Sequence, residues 1–237
     1  VFDPDEVNRN TTAYTPEEER KLISVVCPTN YDRRMWHHLL YECFQMQQYE
    51  LKELIIIDTG RAPSSILQEY AKEDKRVVYN FFPVTDTKDP RANADGKRNA
   101  AWSLGLKRNV ACCLARGDIL AHFDDDDLYS PGYLRWMHSV LRVSWDDANG
   151  QAKPVAAKLV DWYLLDIHDL SFRYLDVYND SAVPCRERRG WLYGWGFSYV
   201  FTRSAWELAP VPDVEFAEDI AFLEGLMAAD VKVHLAR

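Results

Sequence analysis

The sequence predicts an α/β fold with an open, mainly parallel sheet flanked by helices. Through the first half of the chain, apolar runs of strand length alternate with helix-length segments, which is the pattern of repeated β-α-β units. Residues 53–57 form a predicted strand whose last four residues are apolar, as in strands that parallel sheets bury on both faces. Four consecutive aspartates, 124–127, directly follow another strand-like run. Open α/β sheets bind ligands at such carboxyl ends, so we expect the functional site there.

The first half contains four predicted strands in the order β-α-β-α-β-loop-α-β. The strands cover residues 22–27, 53–57, 76–81 and 119–123. The intervening helices cover residues 33–47, a segment that begins at Pro63 and Ser64, and residues 106–116. In the first helix, His37 and His38 fall on or near the polar side, which predicts ordinary surface histidines. This order implies parallel pairing with right-handed crossovers.

The second half is predicted to carry a small antiparallel element. A helix from Pro131 to about Trp145 precedes two paired strands at residues 155–165 and 171–178. The aromatic segment 190–199 contains several glycines, which predicts a loop of close approach. A strand at residues 199–202, a helix opened by Glu218 and Asp219, and a last strand complete the chain.

Two segments are predicted to lie outside this regular pattern. Residues 1–20 are polar and are expected to be a lead-in to one domain at residues 21–237. Residues 83–103 show little periodicity, and so long a loop in a compact domain is typically functional. We expect this loop to close over a bound ligand and exclude water.

The composition argues against several kinds of partner and environment. The net charge is −9 at pH 7 and no basic tract occurs, which argues against nucleic acid as a partner. The longest apolar runs are strand-sized, so we expect no transmembrane segment in this chain. Five cysteines lack the spacing of a metal site and are expected to be buried free thiols. The first residue is Val, which indicates a domain excised from a longer protein; a cytoplasmic location is favoured.

The acidic run predicts a divalent cation site. It lies in the segment HFDDDDLYSP, in which Ser130 and Pro131 are typical of a helix start. Adjacent carboxylates repel one another, and Mn²⁺ or Mg²⁺ with oxygen ligands would remove that cost. A solvated acidic turn is the alternative interpretation of such a charge run.

Five motifs occur in an order that resembles glycosyltransferase family 2. They are Pro28-Thr29-Asn30, Asp58, the pair Arg108-Asn109 eight residues before Gly117, the four aspartates, and Glu218-Asp219. The resemblance covers roughly residues 21–230 and implies an inverting enzyme with the GT-A fold. It implies transfer from a nucleotide-sugar donor, with a UDP-sugar favoured, to a hydroxyl of a glycan or other acceptor. Residues 21–130 would be the nucleotide-sugar-binding half and residues 131–237 the acceptor half.

The resemblance also implies roles for individual residues. Asp126 is expected to be the direct metal ligand, and Asp124 is expected to bind the metal through water or to face the ribose. Nucleotide contacts are expected from Thr29, Asn30, Asp58, Arg108, Asn109 and Asp124. Asp219 is expected to be the general base that takes the proton of the acceptor hydroxyl. Acceptor contacts are expected from Trp195, Gly196 and Glu218. Trp191, Tyr193 and Trp195 are interpreted as a wall on which a sugar would stack, with packing in the core as the alternative.

Several residues have alternative interpretations. Arg108 would equally suit an ion pair within the fold, and Asp219 would suit a helix N-terminus stabilised by the macrodipole. Asp213 and Glu215 compete for the role of base, and Asp125 is interpreted as a charge on the approach to the helix. A metal-binding histidine of the family is expected beyond residue 237, with His234 as a less favoured candidate.

Three other functional classes are weighed against transfer of a sugar. A nucleotidyltransferase usually needs a glycine-rich, basic phosphate loop near the first strand, and residues 27–34 contain no glycine. A phosphatase with an aspartyl nucleophile would carry its aspartates after the first strand rather than the fourth. A non-catalytic nucleotide-sugar- or glycan-binding domain would lack the base, whereas Asp126 and Asp219 are both present.

Overall fold

A computed structural model describes residues 21–84, 102–142, 153–180 and 183–237. The predicted lead-in, most of the predicted closing loop and the predicted helix end at Trp145 lie outside these ranges. The strands are β1 Ile23–Asn30, β2 Lys52–Gly60, β3 Val77–Pro83, β4 Ile119–His122, β5 Val155–Leu159, β6 Asp161–Asp166, β7 Ser171–Asp176, β8 Val200–Thr202 and β9 Lys232–Ala236. The α-helices are α1 His37–Met46, α2 Ser65–Glu73, α3 Leu104–Leu114, α4 Tyr133–Arg142, α5 Arg188–Tyr193, α6 Arg203–Leu208 and α7 Glu218–Ala228.

The described strands form one large sheet and one small one. The large sheet has seven strands in the order β3-β2-β1-β4-β8-β5-β9, and β6 and β7 form a separate antiparallel pair. β1 is parallel to both β2 and β4, and β2 is parallel to β3. β8 runs antiparallel between β4 and β5, and β5 is parallel to β9. The predicted α/β fold, with a mainly parallel sheet and a small antiparallel element, is confirmed.

Helices cover both faces of the sheet, because its central strands are apolar on both sides. Alternate residues of β1 point to opposite faces. Val25 and Cys27 pack in the layer that also contains residues of α1, α2 and α4. Val26 packs in the other layer, with residues of α3, α6 and α7. Burial on both faces is the reason that the strand sequences are continuous apolar runs rather than alternating ones.

Two predicted strand boundaries are wrong. β1 does not stop before Pro28 but continues to Asn30, with Pro28 opposite Ile57 of β2. On the β4 side the pairing ends at Val26, so Pro28 lies where that edge of the strand is open and proline is tolerated. The predicted strand 155–165 is divided at Val160: its first part is β5 in the large sheet, and its second part is β6.

The aromatic segment and the cysteines also differ in part from expectation. The segment predicted as a loop at residues 190–199 contains the end of α5 and a 3-10 turn, Gly196–Ser198. All five cysteines are free thiols, but Cys113 and Cys185 are exposed rather than buried. No helix within the described ranges has the length and apolar character needed to cross a membrane.

A buried polar contact holds the turn before β4 against β1. The Glu53 carboxylate accepts hydrogen bonds from the Ser24 hydroxyl at 2.6 Å and from the Arg116 N–H at 2.7 Å. The N–H of Gly117 donates to the Ser24 hydroxyl at 2.8 Å. A Cβ atom on Gly117 would lie 2.5 Å from the Leu22 carbonyl oxygen. Glycine is therefore required for the chain to enter β4 this close to β1.

We expect Gly117→Ala to lower the free energy of unfolding by roughly 1–3 kcal/mol, because β1 and β4 must separate to admit the methyl group. Urea denaturation followed by circular dichroism measures this change. Gly132→Ala is the control, because a Cβ atom on Gly132 would have no neighbour within 4 Å. An equal loss of stability in both variants would contradict the close approach at Gly117.

Candidate active site

Three parallel strands bring polar residues to one edge of the sheet. β1 lies between β2 and β4, so the carboxyl ends of these strands are neighbours. Thr29 of β1 lies opposite Asp58 of β2, and Val26 of β1 lies opposite His122 of β4. The acidic turn begins two residues after His122. The expected site edge, where open sheets bind their ligands, therefore carries Thr29, Asp58 and the aspartates.

The acidic turn is fixed by an aromatic stack and a buried hydroxyl. The rings of Phe123 and Tyr129 stack with 3.6 Å between centroids. The N–H of Asp124 donates to the Tyr129 hydroxyl at 2.9 Å, and that hydroxyl donates to the Phe197 carbonyl at 3.0 Å. About a third of the Asp124 side chain and 40% of the Asp126 side chain remain exposed. The turn therefore presents these two carboxylates to a ligand.

Asp125 is more than the charge on the approach to the helix that the sequence indicated. Its side chain is 1% exposed. One carboxylate oxygen accepts a hydrogen bond from the Thr29 hydroxyl at 2.5 Å, and the other accepts from Arg33 Nε at 2.5 Å. Burial raises the pKa of Asp125, while the contacts with Thr29 and Arg33 oppose that rise. Asp125 therefore anchors the turn to the end of β1.

Asp58 is buried at the end of β2 and holds an unused acceptor. Its Oδ2 accepts a hydrogen bond from the Tyr79 hydroxyl at 2.6 Å, whereas its buried Oδ1 has no hydrogen-bond partner among the described residues. Burial raises the pKa of Asp58, and the Tyr79 hydrogen bond lowers it. A buried acceptor without a partner is costly, so Oδ1 is suited to a donor group on a ligand.

His37 is buried between these two carboxylates, so its prediction as a surface residue is wrong. Its Nε2 lies 2.9 Å from the Thr29 hydroxyl and its Nδ1 lies 2.8 Å from the Ser64 hydroxyl. Burial, together with Arg34 and Arg33, lowers the pKa of His37 to about 4. The ring is therefore neutral at pH 7. Because Thr29 donates its proton to Asp125, we infer that Nε2 carries the hydrogen that Thr29 accepts.

Arg108 connects the acidic turn to the start of α7. The guanidinium is fully buried, with Nη2 3.0 Å from Asp124 Oδ1 and Nε 3.5 Å from Glu218 Oε1. Its Nη1 is buried and has no hydrogen-bond partner among the described residues. The ion-pair interpretation left open by the sequence is therefore realised, and Nη1 remains as a donor for a ligand. Burial raises the pKa of Glu218, and Arg108 opposes that rise.

Glycine allows the aromatic segment to approach the two acids at the start of α7. A Cβ atom on Gly196 would lie 3.2 Å from Arg108 Nη2, 3.3 Å from Asp219 Cβ and 3.5 Å from Glu218 Oε1. Asp219 Oδ1 accepts a hydrogen bond from the Ile220 N–H at 2.7 Å. Burial raises the pKa of Asp219, and the positive charges of Arg108 and Lys158 oppose that rise. The predicted residues Gly196, Glu218 and Asp219 are thus brought together.

Lys158 is a buried cation that the sequence analysis missed. Its Nζ lies 3.3 Å from the Ser198 hydroxyl and 5.4–5.7 Å from the ring centroids of Trp162, Phe197 and Tyr199. Burial lowers the pKa of Lys158 to about 7, and Asp219 opposes the change. A lysine within an apolar strand gives no periodic signal, so its location beneath the aromatic segment could not be predicted.

The side-chain amide of Asn109 makes its hydrogen bonds to Trp206 and Val211 rather than at the site edge. Its Oδ1 accepts from Trp206 Nε1 at 2.9 Å and from the Val211 N–H at 3.0 Å, and its Nδ2 donates to the Val211 carbonyl at 2.6 Å. These contacts disfavour the predicted nucleotide contact. The preceding Lys107 is directed towards the site: its Nζ lies 3.3 Å from the Thr29 carbonyl oxygen. Burial lowers the pKa of Lys107.

The remaining candidates have the following places. Asn30 caps the 3-10 helix Tyr31–Trp36, with its side chain accepting from the Asp32 N–H. The competing acids Asp213 and Glu215 accept hydrogen bonds from Ser103 Oγ and the Leu104 N–H, respectively, at the start of α3.

His234 lies in β9, which β8 and β5 separate from β4. This distance of three strand positions from β4 disfavours His234 as a metal ligand at the acidic turn.

An aromatic cluster lies beside Gly196. The Trp195 side chain is partly exposed, and its ring lies 5.6 Å from that of Trp191 and 5.7 Å from that of Trp162 between centroids. Tyr193, the third aromatic residue expected in a stacking wall, is buried and accepts through its carbonyl a hydrogen bond from the Tyr199 hydroxyl. Trp191 and Trp195 are thus the members of the expected wall that remain available.

The acidic turn fits a cation that is shared with phosphate oxygens. Among the described residues, no group of three or more His, Cys, Asp or Glu side chains is placed to hold a metal by itself. Mg²⁺ is usually bound by one or two carboxylates together with substrate phosphates, and Asp124 and Asp126 supply such a pair. Burial and the neighbouring carboxylates raise the pKa of Asp127 to about 7. The turn thus carries unbalanced negative charge, which a divalent cation would neutralise.

Comparison with solved structures identifies glycosyltransferases of the same fold. No family model and no curated protein sequence matches the chain. The structure of S. aureus TarS 1-349 in complex with UDP-GlcNAc has a TM-score of 0.58 at 14% identity, covering 90% of this chain and 55% of that one. Glucosyl-3-phosphoglycerate synthase from Mycobacterium tuberculosis in complex with UDP has a TM-score of 0.57 at 14% identity, covering 97% of this chain and 77% of that one.

A third neighbour is the mannosyltransferase PcManGT from Pyrobaculum calidifontis in complex with GDP-Man and Mn²⁺. Its TM-score is 0.54 at 16% identity, with coverage of 96% of this chain and 58% of that one. The chain therefore spans little more than half the length of the TarS and PcManGT chains. These comparisons establish that the protein has the fold of GT-A-type glycosyltransferases.

We expect Arg108→Met to lower the free energy of unfolding by roughly 3–5 kcal/mol at pH 8, because Glu218 is left buried without its cation. The deficit should shrink towards pH 5, since the pKa of Glu218 is raised in the folded protein and protonation there removes the unpaired charge. Urea titrations at several pH values measure both effects. The exposed residue Arg186 gives the control Arg186→Met, which should cost less than about 1 kcal/mol. A pH-independent deficit would contradict the ion pair.

Proposed function

We propose that the protein is a metal-dependent, inverting glycosyltransferase that transfers a sugar from a nucleotide diphosphate sugar to an acceptor hydroxyl. The observation that carries this proposal is the arrangement of acids around Arg108. Asp124, in the acidic turn that also carries the exposed Asp126, pairs with Arg108 from one side, and Glu218, next to Asp219, pairs with it from the other. Transfer of a sugar requires both stabilisation of a leaving diphosphate and removal of a proton from the acceptor. The two groups of acids are suited to these two tasks.

The donor would bind at the carboxyl ends of β1 and β2. The unused Oδ1 of Asp58 would accept a hydrogen bond from an N–H group of the nucleotide base. A uracil ring has such a group, and we favour a UDP-sugar as the donor; UDP and UDP-GlcNAc are also the nucleotides bound in two of the structural neighbours. Thr29 and Asn30, at the end of β1, would line the same part of the cleft. Lys107 would supply positive charge beneath it.

The diphosphate would lie over the acidic turn. Asp126 would bind Mn²⁺ or Mg²⁺ directly, and Asp124 would assist through water or contact the ribose. Such a cation stabilises the charge that develops on a departing diphosphate. The buried Nη1 of Arg108, which has no hydrogen-bond partner among the described residues, would donate to a phosphate oxygen from the protein side.

Asp219 would accept the proton of the attacking hydroxyl. Burial raises its pKa above the ordinary value, which brings the carboxylate closer to the pH at which a general base is most effective. Glu218 is held by Arg108, so Asp219 is the better candidate of the two. With Asp219 as the base and no carboxylate acting as nucleophile, the reaction would be one displacement with inversion at the anomeric carbon. The acceptor, a glycan or another hydroxyl compound, would stack on Trp195 beside Gly196.

We expect Asp126→Asn to weaken UDP binding in the presence of Mn²⁺ by at least about tenfold, a loss of about 1.4 kcal/mol. The reason is that the carboxylate which would join the cation to the protein loses its charge. Isothermal titration calorimetry with UDP, with and without Mn²⁺, gives the measurement. Asp118→Asn is a matched control, since Asp118 is exposed and precedes β4 at the opposite end of the same strand. Equal UDP affinity in both variants, with no effect of EDTA on the parent protein, would refute the metal site.

We expect Asp219→Asn to reduce sugar transfer by roughly 10²–10⁴-fold while donor affinity changes little. In the parent protein, kcat/KM should fall at acidic pH as the raised pKa of Asp219 is crossed, because the base must be deprotonated. NMR of the product measures both the rate and the anomeric configuration. The control Glu224→Gln lies on the exposed side of α7 and should transfer normally. A fully active Asp219→Asn protein would exclude Asp219 as the base, and a retained anomer would exclude inversion.

A further inference from the structure

Arg33 lies against the acidic turn and makes two contacts with it. The residue belongs to the 3-10 helix Tyr31–Trp36, which directly follows β1. Its Nε is 2.5 Å from Asp125 Oδ1, and its Nη2 is 2.5 Å from Asp126 Oδ1. One guanidinium therefore spans two adjacent carboxylates at the edge where the donor is proposed to bind.

The two contacts differ in how firmly they are held. Asp125 is buried, and its second oxygen is fixed by Thr29, which in turn contacts the buried ring of His37. Asp126 has 40% of its side chain exposed, and Arg33 is its ion-pair partner among the described residues. The Nε end of the guanidinium is therefore anchored, whereas the contact through Nη2 is accessible to competitors.

A divalent cation on Asp126 would compete with Nη2 for the same carboxylate. With the cation bound, three positive charges, two from the metal and one from Arg33, would face the two carboxylate charges of Asp125 and Asp126. A diphosphate brings at least two negative charges to the same place. The diphosphate would therefore remove the excess positive charge that the metal alone would leave beside Arg33.

We propose that Arg33 is a diphosphate-binding residue whose Nη2 moves from Asp126 to a phosphate oxygen when metal and nucleotide bind together, so that each ligand strengthens the binding of the other. This inference rests on the proposed function. Asp125 keeps the side chain at the site during the exchange. The freed N–H groups of a guanidinium are well suited to phosphate oxygens, to which they form charge-assisted hydrogen bonds.

This role predicts changes of opposite sign in one variant. In Arg33→Gln, the Mn²⁺ affinity of the nucleotide-free protein should rise about tenfold, because the competing cation is gone. The UDP affinity at saturating Mn²⁺ should fall about tenfold, because a phosphate contact is lost. The thermodynamic coupling between Mn²⁺ and UDP should fall accordingly. If Arg33 served only to stabilise the turn, both affinities would fall together or neither would change.

The experiment measures free Mn²⁺ by electron paramagnetic resonance in titrations of the nucleotide-free protein, and UDP affinity by calorimetry at saturating Mn²⁺. Arg33→Lys is a second variant: it keeps the charge that opposes the metal but loses the fork that reaches two oxygens. Its Mn²⁺ affinity should stay near the parental value while its UDP affinity falls. Arg135→Gln, on the exposed side of α4, is the charge-matched control and should change neither value.

The outcomes separate this inference from the function on which it rests. Tighter Mn²⁺ binding with weaker UDP binding in Arg33→Gln supports the exchange. Weaker binding of both ligands, or unchanged binding of both, overturns the exchange. The proposed function still stands in that case if the parent protein binds Mn²⁺ and UDP. A parent protein that binds no UDP in the presence of Mn²⁺ overturns both proposals.

Discussion

The buried guanidinium of Arg108 is the interaction on which the geometry of the candidate site depends. It lies between Asp124, in the turn after β4, and Glu218, at the start of α7. A buried cation is strongly destabilising unless acids pair with it, so the fold must bring these two distant parts of the sequence together. Gly196 then lies against the same cluster, where a Cβ atom would lie only 3.2–3.5 Å from its neighbours. The ion pairs of Arg108 therefore fix the start of α7, which carries Asp219, relative to the acidic turn.

A second buried network supports the other side of the site. It consists of hydrogen bonds of 2.5–2.9 Å that run through Asp58, Tyr79, Ser64, His37, Thr29, Asp125 and Arg33. Such a network is stable only when its buried members find partners. It therefore couples the end of β2, where the base is proposed to bind, to the acidic turn. A substitution of His37 in α1, which contacts no ligand, would therefore alter both ends of the cleft.

The sequence predicted the architecture well because the relevant signals are local. Apolar runs, helix starts and the position of the aspartates after a strand are each contained in short segments, and parallel order follows from their alternation. The site edge was also predicted, since strands that are parallel neighbours must end together. This reasoning places the aspartates 124–127 at the site edge, whereas Asp58 and the roles of Asp124 and Asp126 are implied by the resemblance to glycosyltransferase family 2, and those roles remain predictions. The predicted end of the first strand was wrong because proline usually ends a strand, whereas pairing with β2 keeps Pro28 within β1.

By itself, the sequence determined the fold class, the edge of the sheet that carries the site and the acids available there. Only the tertiary structure decided which charges pair. Asp125 and Asp126 are adjacent in an unbroken acidic run, yet one is buried against Thr29 and the other is exposed. His37 has the same helical neighbourhood as a surface histidine, but it packs beneath β1 and bonds to Thr29. Burial and ion pairing depend on residues far away in the chain, and no local pattern contains that information.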